Sequence, residues 1–154
     1  MVSGAASVAT SLRLPTLGLH DPPMPQQETD TGFTSVPIAE LPTLWDGFAK
    51  LVRAGLGITG FGVQIMDMPP NHTTKSHDES ATGQEELYLA LRGSGEIVIG
   101  PDEAHLPLDT DHVARVGPGV SRTLVAGADG VRVLCVGGVP GAPYRPPEWT
   151  APDR

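Results

Sequence analysis

Residues 85–100 read EELYLALRGSGEIVIG, and this segment carries the clearest structural signal in the chain. Its leucines at odd positions alternate with Glu86, Tyr88 and Ala90. A period of two residues is typical of a β-strand whose two faces meet different surroundings, so these three residues are predicted to face inward. The glycines of GSG, residues 93–95, predict a tight turn, after which EIVIG returns antiparallel.

Further strand patterns lie on both sides of this segment. Residues 60–68, 112–116, 121–127 and 131–138 are rich in β-branched and other apolar residues, and the GPG of residues 117–119 is a turn signal. No internal repeat is visible. Six or more short strands with regular turn residues predict one antiparallel sandwich or barrel.

The two ends of the chain differ from this strand-rich region. Residues 1–36 are rich in Pro, Ser, Thr, Ala and Gly and predict an irregular arm, whereas residues 37–140 form the predicted barrel domain. The Pro-rich tail, residues 141–154, is expected to pack on the barrel. Near the start of the barrel, Thr43 could cap a turn or two of helix, followed by a strand.

Composition excludes several classes of protein. The 154 residues carry a formal net charge of −8, with 10 Lys and Arg against 18 Asp and Glu, which disfavours nucleic acid as a partner. No apolar stretch is long enough to span a membrane, and the first residues do not resemble a secretory signal. The single cysteine, Cys135, excludes an internal disulfide. We expect a cytoplasmic protein.

Two short segments resemble the conserved motifs of the cupin superfamily, in its small single-domain members. The run from Glu86 to Gly93 matches the glutamate-to-glycine half of the first cupin motif, and GPGVSR, residues 117–122, matches the second except for its histidine. The resemblance implies an all-β fold, the antiparallel double-stranded β-helix of the cupin jelly-roll barrel, with a short N-terminal helix or turn. It also implies a homodimer.

The departures from these motifs bear on function. Cupins that hold a divalent metal usually supply three histidines and the glutamate, but Lys75 stands in the first ligand position and Arg122 in the last. Both side chains are cationic near neutrality and are poor metal ligands. Of the usual ligands only His77 and Glu86 remain, and His72 could join them. The sequence therefore leaves open whether the protein binds a divalent metal cofactor.

Two hypotheses follow from these substitutions. Arg122 either forms an internal ion pair with Glu86 or holds the carboxylate of a ligand, and Lys75 at the mouth favours the same anion. The first hypothesis is a small-molecule-binding cupin for an anionic organic ligand, with a degenerate metal site. Its expected ligand-binding residues are Lys75, His77, Glu86, Tyr88 and Arg122. The alternative is a metal-dependent oxygenase or isomerase that uses His77 and Glu86.

Overall fold

The computed structural model describes residues 32–102 and 104–148. The predicted arm at residues 1–36 therefore lies almost wholly outside the described residues, as does the end of the predicted tail. No helix among the described residues is long and apolar enough to cross a membrane.

Seven antiparallel strands make up the described domain. They are β1 (Thr43–Leu44), β2 (Ala49–Lys50), β3 (Gly62–Met68), β4 (Glu85–Ile99), β5 (Ala104–Leu108), β6 (Val113–Val116) and β7 (Arg122–Gly138). Their order in the sheet is β1-β2-β3-β7-β4-β5, and β6 pairs with β4. The expected all-β antiparallel fold is confirmed.

The N-terminal part of the domain departs from the sequence expectation. β1 and β2 form a small hairpin over residues 43–50, where a turn or two of helix starting at Thr43 was expected. Trp45, Asp46 and Gly47 all have positive φ, at 51°, 55° and 88°. Three successive left-handed residues close a turn and cannot continue a right-handed helix. The expected short N-terminal helix or turn is present on either side of this hairpin, as a 3₁₀ turn at Ile38–Glu40 and as the helix α1 (Val52–Leu56).

The GSG segment is the second departure, because the predicted hairpin turn at residues 93–95 is wrong. β4 continues through these residues as a single strand, and both of its halves pair with β7. β7 likewise spans two segments that the sequence predicted as separate strands. The register between β4 and β7 shifts at Ala90–Arg92 and at Gly93–Gly95. GSG therefore marks a bulge where two long strands bend together, and not a chain reversal.

The inner face of these strands forms the core. Ile97, Val133 and Leu124 are buried completely or nearly so, whereas Leu87 and Leu91 on the outer face of β4 remain about 39% and 40% exposed. Tyr88 and Ala90 lie inside, as the period-two pattern predicted. Because the leucines of β4 point outward, Glu86 and Tyr88 occupy inward positions. Polar groups therefore lie within the core.

Candidate functional site

Arg122 is the centre of a polar cluster inside the domain. It begins β7, just after the turn in which the Val120 amide donates to the Gly117 carbonyl, and its side chain is fully buried. Nε of Arg122 donates to the Tyr88 hydroxyl at 3.2 Å, and Nη1 donates to the Val120 carbonyl at 3.0 Å. Nη2 donates to the Glu86 carboxylate in an ion pair. Of the two alternatives for Arg122, the structure shows the internal ion pair.

The Glu86 carboxylate accepts from three different side chains. Besides Arg122, the Tyr88 hydroxyl donates to Oε2 and the Cys135 thiol donates to Oε1 at 3.4 Å. The Glu86 side chain keeps only 13% of its surface exposed. Among the described residues, no buried side-chain nitrogen or oxygen lacks a hydrogen-bond partner. The buried charge is therefore both neutralised and hydrogen-bonded.

This environment changes the acidity of the neighbouring groups. Burial raises the pKa of the Cys135 thiol, and the negative Glu86 beside it acts in the same direction. Burial also raises the pKa of the Tyr88 hydroxyl, again with help from Glu86. For Arg122, burial works to lower the pKa, but the contacts with Tyr88 and Glu86 outweigh it and the pKa rises. Arg122 stays charged, and Tyr88 and Cys135 stay neutral.

These raised values predict a loss of stability in alkali. In the unfolded chain the thiol and the phenol ionise near their ordinary pKa values of 9.0 and 10.0, whereas the folded protein holds both protons. The folded state then binds more protons, so the free energy of unfolding falls as pH rises above about 9, by up to about 1.4 kcal/mol per pH unit for each group. Urea unfolding measured from pH 7 to 10.5 checks this.

Variants separate this effect from general alkaline unfolding. Cys135→Ala removes the thiol and should flatten the fall of unfolding free energy between pH 8.5 and 10 relative to wild type. Tyr88→Phe should flatten it at higher pH. Identical slopes for wild type and Cys135→Ala would contradict the assignment of this pH dependence to the buried thiol.

His77 lies beside the start of β7. Its backbone pairs with that of Arg122 through two hydrogen bonds, of 2.9 and 3.1 Å, and its side chain is exposed. Nδ1 of His77 lies 3.2 Å from the carbonyl oxygen of Lys75. Because a carbonyl only accepts, this contact places a proton on Nδ1 and leaves Nε2 of the neutral ring as an acceptor. The Lys75 side chain itself is exposed.

Glu79 joins His77 and Glu86, although the sequence reasoning did not single it out. One ligand atom from each of these three residues lies within 4.8 Å of the others. A single turn closed by the amides of Thr82 and Gly83 on the Glu79 carbonyl folds the loop back, and the Thr82 hydroxyl holds the Glu79 carboxylate. In the sequence, this turn was indicated only by the pair Thr82-Gly83, which stands three and four residues after Glu79. His72 is not in this group, and its ring packs on Phe48 at 5.0 Å.

A small cavity, here called the mouth pocket, opens beside Glu86. Its volume is about 60 Å³. Its polar lining combines one guanidinium, two carboxylates, two amides and a phenol, and its walls are otherwise small or apolar. The polar residues are Arg53, Glu79, Glu86, Gln64, Gln84 and Tyr144. Of the five ligand-binding residues expected from sequence, Glu86 lines this pocket.

Comparisons with known proteins address the fold. No protein-family model matches the sequence, and no curated protein matches it either. Among solved structures, a cupin protein from Bacteroides fragilis matches with a TM-score of 0.57 and 22% identity, covering 79% of this chain and 96% of its own. The chain has the cupin fold.

Two further cupins give weaker matches over about half of this chain. A cupin 2 conserved barrel domain protein from Salinispora arenicola has a TM-score of 0.44 and 19% identity, covering 51% of this chain and 62% of its own. A cupin superfamily protein from Desulfitobacterium hafniense has a TM-score of 0.45 and 14% identity, covering 51% and 67%.

The ligand set implied by the cupin resemblance is incomplete in this chain. Lys75, in the first ligand position, is exposed, and Arg122, in the last, is a buried cation on the very carboxylate that would bind the metal. A divalent ion on Glu86 would lie near this guanidinium, where the protein interior screens their repulsion poorly. The Arg122 guanidinium instead supplies the positive charge that Glu86 needs.

Proposed function

We propose that this cupin binds a small hydroxylated organic acid in the mouth pocket without using a metal. The observation that carries the proposal is the lining of that pocket, in which the Arg53 guanidinium shares a small space with carboxylates and amides. The internal ion pair between Arg122 and Glu86 supports the metal-free part. The anionic ligand expected from the sequence is kept, but its cationic partner becomes Arg53.

The chemistry of the lining favours a ligand with two kinds of polar group. A guanidinium matches the geometry of a carboxylate through parallel hydrogen bonds. Carboxylate and amide oxygens accept hydrogen bonds from hydroxyl groups, and Glu79, Gln64 and Gln84 all line the pocket. A hydroxy acid offers both groups on a short carbon skeleton. The cavity, about 60 Å³, has about the volume of two waters, so such a ligand enters it only if part of the pocket wall moves outward.

A matched pair of acids tests this proposal. Malate and succinate differ by one hydroxyl, so we expect malate to raise the thermal midpoint of the protein more than succinate at the same concentration. Arg53→Gln should weaken malate binding in calorimetry by about ten- to a hundredfold, the range for a lost charged hydrogen bond. Arg92→Gln is the matched control, because its side chain is 69% exposed and outside the pocket.

Two results would contradict the proposal. One is the absence of any midpoint shift with malate, citrate, tartrate or glycerate. The other is binding of malate that Arg53→Gln and Arg92→Gln leave equally unchanged, because a carboxylate held elsewhere would not depend on Arg53.

The second candidate is the metal-dependent oxygenase or isomerase. The convergence of His77, Glu79 and Glu86 within 4.8 Å favours it, since one imidazole and two carboxylates are ordinary ligands of divalent cations. Under this candidate, Zn²⁺ or Mn²⁺ should raise the thermal midpoint, and Glu79→Gln should abolish the shift. Under the metal-free proposal neither ion produces a shift that depends on Glu79. The homodimer and the cytoplasmic location stay predictions.

A further inference from the structure

We propose that Tyr144 forms the movable outer wall of the mouth pocket, sets its size and contacts the bound ligand. This inference rests on the proposed function, because it concerns the same pocket. Tyr144 and Pro147 reach the pocket from the C-terminal segment, residues 139–148, that follows β7. Neither residue was expected to belong to a site.

The position of Tyr144 explains why residue 62 is glycine. A Cβ atom at Gly62 would overlap the Tyr144 hydroxyl and lie only 2.8 Å from Cζ and 3.0 Å from Cε2 of the same ring. All three of the nearest atoms belong to Tyr144. The ring therefore packs directly on the backbone where β3 begins, and this close contact depends on the missing side chain.

Gly62 is also a residue whose substitution is informative. It does not have a positive φ, so its backbone conformation suits an alanine. The three atoms nearest to an alanine Cβ all lie at the end of one side chain, on a segment outside the strands. We therefore expect Gly62→Ala to displace the Tyr144 ring from the pocket wall and to leave the sheet intact.

The Tyr144 hydroxyl is suited to a ligand contact. The side chain is half-buried, and burial raises its pKa above the ordinary value of 10.0, so the hydroxyl keeps its proton at neutral pH. Within residues 32–102 and 104–148, the structure shows no hydrogen bond from this hydroxyl to another protein group. A neutral phenol at the wall of a small polar cavity can donate to a carboxylate or accept from a hydroxyl.

The role of Tyr144 as a movable wall follows from the small size of the cavity. A volume of about 60 Å³ is well below that of ordinary ligand pockets. Because malate is larger than this volume, which is about that of two waters, the Tyr144 ring must move outward to admit it, and a larger acid requires more movement. Citrate, which adds one carboxymethyl group to the malate skeleton, is a suitable larger probe.

The experiment compares Gly62→Ala with Gly60→Ala, where a Cβ atom would meet nothing within 4 Å. The chain has two tyrosines, and the other, Tyr88, is deeply buried, so ultraviolet titration reports Tyr144. We expect Gly62→Ala to lower the titration midpoint of Tyr144 toward 10 and to shift the citrate-to-malate affinity ratio in favour of citrate by at least threefold. Gly60→Ala should match wild type in both.

A second variant tests the contact itself. Tyr144→Phe keeps the ring and removes the hydroxyl, so malate affinity should fall about three- to tenfold, as for one lost neutral hydrogen bond. An unchanged Tyr144 titration in Gly62→Ala would overturn the claim that Tyr144 forms the pocket wall. Unchanged affinities in both variants would overturn the claim that Tyr144 acts in binding. If wild type binds neither acid, the proposed function and the ligand contact both fail. The titration alone still tests whether Tyr144 forms the pocket wall.

Discussion

Arg122→Met is expected to lower the free energy of unfolding by about 3–5 kcal/mol, which is the usual cost of leaving one partner of a buried ion pair alone. The physical reason is that the Glu86 carboxylate, only 13% exposed, loses its cation but keeps its place inside the domain. Methionine approximates the length of the arginine stem, so the loss of packing is kept small. Urea unfolding at pH 7 measures the change.

Two controls identify the source of that loss. The double variant Arg122→Met/Glu86→Gln removes both charges and should recover a large part of the lost stability, giving a coupling between the two sites in a double-mutant cycle. Arg115→Met breaks a surface ion pair with Glu85, in which the Arg115 side chain is 67% exposed and that of Glu85 is 38% exposed. This variant should lower the free energy of unfolding far less. Equal losses for Arg122→Met and Arg115→Met would contradict a stabilising internal pair.

Gly93→Ala is expected to destabilise the domain by about 3 kcal/mol or more, or to prevent folding. Gly93 has a φ of 71°, and a Cβ atom there would overlap the carbonyl oxygen of Gly130 and lie 3.1 Å from its carbonyl carbon. Both conflicts involve backbone, which cannot move aside as a side chain can. Backbone strain and overpacking each cost about 1–3 kcal/mol.

Gly100→Ala is the matched control for this prediction. Gly100 also has a positive φ, of 55°, but a Cβ atom there would meet nothing within 4 Å. The difference between the two variants therefore isolates the close approach of β4 and β7 from the conformational preference of glycine. Thermal unfolding and soluble yield are the measurements, and equal effects of the two substitutions would contradict the bent-strand pairing.

Most of the fold could be predicted from local patterns, because alternation in a strand is a property of neighbouring residues. The period placed Glu86, Tyr88 and Ala90 on one face of the strand, and that face is the buried one. The GSG error has an equally physical origin, since a two-strand hairpin and a bulged bend use the same glycine-rich sequence. Pairing with residues far along the chain, such as that of Gly95 with Ala126, distinguishes them.

The candidate site was less predictable, because it depends on contacts between distant segments. The sequence offered two alternatives for Arg122, and the pairing with Glu86 required the register of β4 and β7 to be known. Glu79 was missed because it lies on a loop whose fold follows from one turn. The tail, residues 141–154, was expected to pack on the barrel, but nothing local connected its Tyr144 to Gly62.

The central claim is that a guanidinium takes the place of a metal on Glu86. Its most direct test is elemental analysis of wild-type protein and of His77→Ala after dialysis against excess Zn²⁺ or Mn²⁺ and removal of unbound ion. The account predicts well below one equivalent of metal in both proteins, with no difference between them. One equivalent in wild type that is lost in His77→Ala would contradict it.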